Sequence, residues 1–222
     1  MSLTVKIVIL ILYAVCILFC TPMYTKKKYD HSTRTNKLIW KGITISIPAL
    51  TLIVTSLVHA IKGTATPFLI IMTFGMILCA CGDIVLEIKF LRGGVLFLLG
   101  HLVYVLGILN YLKAITSVTI IVYLLLAVLG TIMTIDSLGK KYRYPLIAYN
   151  IVISGTFAMG VTLITTNSIN NILPGIGVCF LVISDWLLAR NKIAGSNFRR
   201  SLISLLFYFG GQVLVSSLVF FI

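Results

Sequence analysis

The sequence predicts an all-α integral membrane protein, with eight transmembrane helices in one bundle and both termini lumenal or extracellular. Three observations carry this expectation. Of 222 residues, 59% are hydrophobic and only 10% charged, whereas a soluble domain is about half apolar and about a quarter charged. The apolar residues fall in eight runs, roughly 4–22, 38–60, 67–86, 94–112, 116–135, 145–166, 170–189 and 201–222. Each is close to the ~20 residues that cross a bilayer as a helix. The basic residues alternate between loops: 14 of the 18 Lys and Arg lie in the odd-numbered connections, which marks these as cytoplasmic.

The runs are continuous, not the alternating ~10-residue segments of a β-barrel, so helices are expected throughout. In the first, Lys6 precedes an apolar core and Cys20-Thr21-Pro22 faintly resembles a signal-peptide cleavage site. Lys26, Lys27 and Lys28 follow directly, which suits a span anchored on the cytoplasmic side. The second holds Lys41 and Pro48, and the third ends Cys81-Gly82-Asp83. In the fourth, Gly94 and Gly100 allow close helix approach, as Gly82 does in the third. The fifth carries no intramembrane charge, and the sixth carries Asn150. The seventh has Pro174 near its start and ends Ser184-Asp185-Trp186, and the eighth holds Tyr208 and Gln212. Trp40 and Trp186 sit where belt aromatics belong. The helix ends at Asp83 and Asp185 echo one another four spans apart, which suggests a duplicated four-helix unit. No soluble domain remains outside the spans, so residues 1–222 form a single domain.

Composition excludes an ordinary soluble enzyme, a disordered tail and a nucleic-acid-binding domain. The net charge of +13 fits loops facing anionic lipid, so membrane lipids rather than nucleic acid are the expected partners. The five cysteines all lie within apolar runs and form no extracellular framework. Cys79 and Cys81 point apart on a helix, as packing residues do.

Ionisable residues inside spans are costly, so each is a functional candidate. Of the five acids, Asp30 and Asp136 fall in loops. Asp83 and Asp185 lie within the last turn or so of their spans, and Glu87 follows Asp83 by one turn, at headgroup depth. Lys41, Asn150, His101, Tyr104, Tyr208 and Gln212 lie one to three turns in from the same side. Together they occupy a slab roughly 10–15 Å thick, which suggests one polar pocket open toward the cytoplasmic leaflet. With one deep histidine a His-based zinc site is not expected, and no G-x-S-x-G elbow is present. Ser184 and Asp185 are helix neighbours about 100° apart and do not pair. What remains is a pair of carboxylates in a semi-dry site. One of two such groups stays protonated and donates, while its ionised partner positions water or stabilises a cation.

Lys41, Gly82-Asp83-x-x-Leu86, Gly100-His101-x-x-Tyr104, Phe180-x-x-x-Ser184-Asp185-x-x-x-Ala189 and Tyr208-x-x-x-Gln212 occur in this order over residues ~38–215. This ordered set resembles the YhhN-like lysoplasmalogenase family. The resemblance implies hydrolysis of the vinyl ether bond of lysoplasmalogen, a lysophospholipid substrate, to a fatty aldehyde and glycerophosphoethanolamine or glycerophosphocholine. It implies no metal or redox cofactor. Asp83 and Asp185 are then the expected acid and base, and His101 orients an Asp or relays the proton. Lys41 holds the headgroup phosphate or tunes a carboxylate, and Tyr104, Asn150, Tyr208 and Gln212 position water and substrate. In a eukaryote the family points to the endoplasmic reticulum, and in a bacterium to the cytoplasmic membrane. The alternative from another class is a lipid or proton-coupled small-molecule transporter using the same polar slab.

Overall fold

Each apolar run folds as a helix, because a chain surrounded by lipid must satisfy its backbone internally. The computed structural model describes residues 2–30, 33–135 and 140–221; Asp136, read above as a loop residue, lies outside them. The helices are α1 (Leu3–Tyr29), α2 (Arg34–Ile61), α3 (Pro67–Leu86), α4 (Phe90–Leu112), α5 (Ser117–Ile135), α6 (Lys140–Thr165), α7 (Ile169–Ala194) and α8 (Phe198–Ser216, closed by a 3-10 turn). Among the described residues seven are long and apolar enough to cross a membrane, while α5 offers the shorter apolar stretch Ser117–Ile132. Leu10, Leu57, Leu106 and Leu125 remain exposed, as lipid-facing residues do.

The helices outrun the apolar runs at their basic ends. The first continues to Tyr29, not to residue 22, because Thr21, Tyr24 and Thr25 lie on one buried face although the segment is polar in composition. A π turn at Cys16–Cys20 precedes Pro22, whose ring removes a helical donor. Pro48 likewise deprives the carbonyl of Thr44 of its α-helical partner, and the buried Cys16 thiol donates to that oxygen at 3.3 Å. The two irregularities therefore lock α1 to α2.

The most extensive contacts are α3 with α4 and α7 with α8, the pairs that begin with the helices of Asp83 and Asp185. Small residues explain the closeness. A Cβ on Gly93 would lie 2.5 Å from the backbone nitrogen of Leu86, and one on Gly177 would lie 2.8 Å from the carbonyl of Gly211. Ser184 and Ser204 stitch α7 to α8 reciprocally, each hydroxyl donating to the other's carbonyl at 2.9 and 3.2 Å. Beyond these pairs, α4 and α7 both contact α6, and α1 closes against α2 and α8. Cys79 is buried and Cys81 exposed, as their spacing requires.

Candidate functional site

Helical periodicity turns the polar residues inward. On α3 the buried stripe runs Leu69, Met72, Met76, Cys79, Asp83, at steps of three and four, so Asp83 continues a core face. Lys41 starts the buried stripe of α2, followed by Thr44, Ile45, Pro48, Ala49 and Leu52. His101 lies between Phe97 and Tyr104 on α4, Asp185 follows Val178, Leu181 and Val182 on α7, and Tyr208 follows Ser201 and Ser204 on α8.

The two aspartates meet different partners. Lys41 Nζ lies 2.8 Å from Asp83 Oδ1 and 3.0 Å from Glu87 Oε1. The Tyr24 hydroxyl donates to the same Glu87 oxygen at 2.6 Å, and Arg34 donates to the Glu87 carbonyl at 3.2 Å. Asp83 Oδ2 is buried without a hydrogen-bond partner among the described residues. At the second centre, Asp185 Oδ2 lies 2.7 Å from His101 Nε2 and accepts the Tyr149 hydroxyl at 2.6 Å. His101 Nδ1 is buried with no partner among the described residues. A proton there would be orphaned, so the ring proton is assigned to Nε2 and donated to Asp185.

Glu87, just past the end of α3, is drawn into the site, not left among headgroups, and its side chain is only 26% exposed. Burial pushes its carboxyl up, but the Lys41 ammonium and the Tyr24 hydroxyl outweigh this and hold it below the usual carboxylate range.

A cavity of about 270 Å³ opens at this end of the bundle. Of the expected site residues, Asp83, Asp185, Lys41 and Tyr208 line it. His101 stands behind Asp185, with its ring edge-on to Tyr104 and Tyr149. Tyr104 and Gln212 continue the stripes of His101 and Tyr208 one turn deeper and do not line the cavity. The hydroxyl of Tyr104 and both amide atoms of Gln212 have no hydrogen-bond partner among the described residues. Asn150 is directed elsewhere: it donates to the Ala127 carbonyl at 3.1 Å and accepts from the Trp186 indole at 3.4 Å, joining α5, α6 and α7.

The structure adds residues that sequence reasoning passed over. Glu87 carried a signal, its i+4 spacing from Asp83, which places both on one face. Tyr24 and Tyr149 carried little, since tyrosines near helix ends are ordinary interfacial anchors. Lys28 and Lys192 also line the cavity, and Lys192 Nζ sits 5.2 Å from the centre of the Phe90 ring.

Comparison with known proteins adds one match: the model of the YhhN family covers residues 36–219. No curated protein and no solved structure matches the chain.

Proposed function

The chain belongs to the YhhN family, and from that membership, together with the paired carboxyls of the cavity, we propose that it is a membrane-embedded hydrolase of the lysoplasmalogenase type. Its substrate is a lysoplasmalogen. Its products are a fatty aldehyde and glycerophosphoethanolamine or glycerophosphocholine. The observation that carries the reading is that Asp83 and Asp185 line one cavity while holding different hydrogen-bond partners.

The reaction runs in three steps. One carboxylic acid transfers its proton to the β-carbon of the vinyl ether, the double-bond electrons form the new C–H bond, and the ether oxygen shares the positive charge as an oxocarbenium ion. The other carboxylate removes a proton from water as the water oxygen bonds to the cationic carbon, giving a hemiacetal. That carboxyl then protonates the glycerol oxygen while accepting the hemiacetal hydroxyl proton, the C–O bond breaks, and aldehyde leaves. A proton passing from the second carboxyl to the first restores the resting pair.

His101 and Tyr149 orient Asp185, and Lys41 acts on Asp83 instead of on a phosphate, because its ammonium is already shared between two carboxyl groups. The headgroup phosphate then meets Lys28 and Lys192 at the cavity wall. The positive-inside pattern of the loops supports a cytoplasmic orientation for this end, at the endoplasmic reticulum of a eukaryote or the cytoplasmic membrane of a bacterium. The polar groups gather at one end of the bundle, not at the midplane where transporter sites lie, which favours hydrolysis over transport.

The test is aldehyde release by purified protein given lysoplasmenylethanolamine. Asp83→Asn and Asp185→Asn are each expected to lower turnover by about 10²–10⁴-fold while the protein stays folded in detergent. A folded variant that keeps parental turnover overturns the carboxyl mechanism.

A further inference from the structure

The reading above leaves open which aspartate is the acid. The partners decide it. At the first centre one ammonium faces two carboxyls, at 2.8 and 3.0 Å. One cation balances one anion, so in a site this buried one of the two carboxyls takes a proton. Glu87 Oε1 has two donors, Lys41 and Tyr24, and its side chain still reaches solvent at 26%, against 7% for Asp83. Hydrogen bonds to a carboxylate favour its charged form, and so does water. Asp83 has one donor and a buried Oδ2 with no partner among the described residues, where a proton sits without displacing a bond. At the second centre Asp185 Oδ2 receives donors from both His101 and Tyr149, the pattern of an ionised carboxylate.

We propose that Glu87 is a positioning residue of the site: by sharing Lys41 and drawing on Tyr24, it leaves Asp83 as the carboxylic acid that protonates the substrate and Asp185 as the carboxylate that activates water. The assignment rests on the hydrolase reading for its substrate, but its protonation pattern stands on the geometry alone. The charged and titratable groups around the pair are Tyr24 and Lys28 from α1, Lys41 and Arg34 from α2, Cys79 from α3 and Tyr208 from α8, with Asp185 of α7 beyond Tyr208. Lys28 lines the same cavity as Glu87 and Asp83 but, among the described residues, makes an ion pair with neither. Tyr24 belongs to α1, outside the segment matched by the family model, so the first helix contributes to the site through Glu87.

Two measurements test this, one of them independent of activity. Infrared spectroscopy of the detergent-solubilised full chain at neutral pH is expected to show the carbonyl stretch of a protonated carboxyl. The band should vanish in Asp83→Asn and persist in Asp185→Asn. In Glu87→Gln the ammonium has Asp83 as its single carboxylate partner, so the band should vanish there as well. Glu87→Asp, which keeps the charge, should retain it. The double variant Lys41→Met/Glu87→Gln removes the cation too and should restore the band, a recovery that a merely structural role for Glu87 does not give. In the aldehyde assay, Glu87→Gln should move the high-pH limb of the kcat profile down by about 1–3 pH units. It should thus lower turnover at neutral pH by about 10- to 1,000-fold with KM little changed. A band that survives Glu87→Gln, or that is lost in Asp185→Asn and not in Asp83→Asn, overturns the assignment. The expected band pattern in a parent that releases no aldehyde overturns the hydrolase reading alone.

Discussion

Replacing Lys41 by methionine removes the ammonium that faces two carboxyls while keeping most of the length and apolar stem of the side chain. Lys41 and Asp83 expose only 4% and 7% of their side chains, and their closest atoms are 2.8 Å apart. Removing one partner of a buried pair costs about 3–5 kcal/mol, because the remaining charge is left uncompensated. With Asp83 holding its proton, the charge left behind is that of Glu87, 3.0 Å from the lost ammonium, and its partial exposure puts the cost toward the lower end of that range. The cost fades as acid protonates Glu87. The sign for Glu87 is fixed by its partners: its folded carboxyl is held below the ordinary range. The stability it contributes is therefore fully present above the unfolded value of about 4.3 and is lost as pH falls through the lower folded value. Lys41→Met forfeits that contribution, so the parent and variant curves should be furthest apart at pH 7 and converge on acidification through that window. Unfolding in mixed micelles, followed by circular dichroism at pH 7 and in acid, measures both. A variant within about 0.5 kcal/mol of the parent at pH 7, or a gap that widens in acid, refutes the reasoning.

Tyr149→Phe removes one of the two donors to Asp185 and leaves no new buried polar atom on its own side. A hydrogen bond to a charged group contributes about 1.5–3 kcal/mol, and kcat for aldehyde release should fall at least about 10-fold with KM unchanged, because Tyr149 does not line the cavity; an unaltered kcat would show that its hydroxyl does not support Asp185. Gly177→Ala puts a Cβ 2.7 Å from the Val215 nitrogen and 2.8 Å from the Gly211 carbonyl, backbone atoms that cannot turn aside. It should lower unfolding stability by about 1–3 kcal/mol. Gly94, expected from the sequence to allow close helix approach, has nothing within 4 Å of an added Cβ, so Gly94→Ala should be neutral or stabilising by up to about 1 kcal/mol. Equal effects at the two glycines would refute the close α7–α8 approach.

Depth was legible in the sequence and azimuth was not. Lys41, Asp83, His101 and Asp185 stand out because an ionisable group within an apolar run is costly, and they meet as two pairs, Lys41 with Asp83 and His101 with Asp185. Asn150 lies at the right depth, yet its position around α6 aims it at Ala127 and Trp186. The end of an apolar run suggests the membrane boundary and so headgroup depth for Glu87, whereas its i+4 position from Asp83 brings it to Lys41. Tyr24 lies past the apolar stretch of α1, in a segment whose lysines hide the buried face it shares with Thr21 and Thr25. Hydropathy counts residues along a helix, whereas partners depend on how helices rotate against one another.

Asp83 is the seventeenth residue of α3 and Asp185 the seventeenth of α7, each within one of the two most extensive helix pairs. Each draws a hydrogen-bond donor from the preceding helix, Lys41 on α2 and Tyr149 on α6. Two helix pairs thus present the same functional group to one cavity beside different neighbours, an ammonium in one and a phenol in the other, and in the proposed hydrolase those neighbours separate their tasks. Division of labour between the halves then needs no movement of the backbone. A lineage can exchange or retune the two roles by substituting residues on α2 and α6 while both aspartates stay in place.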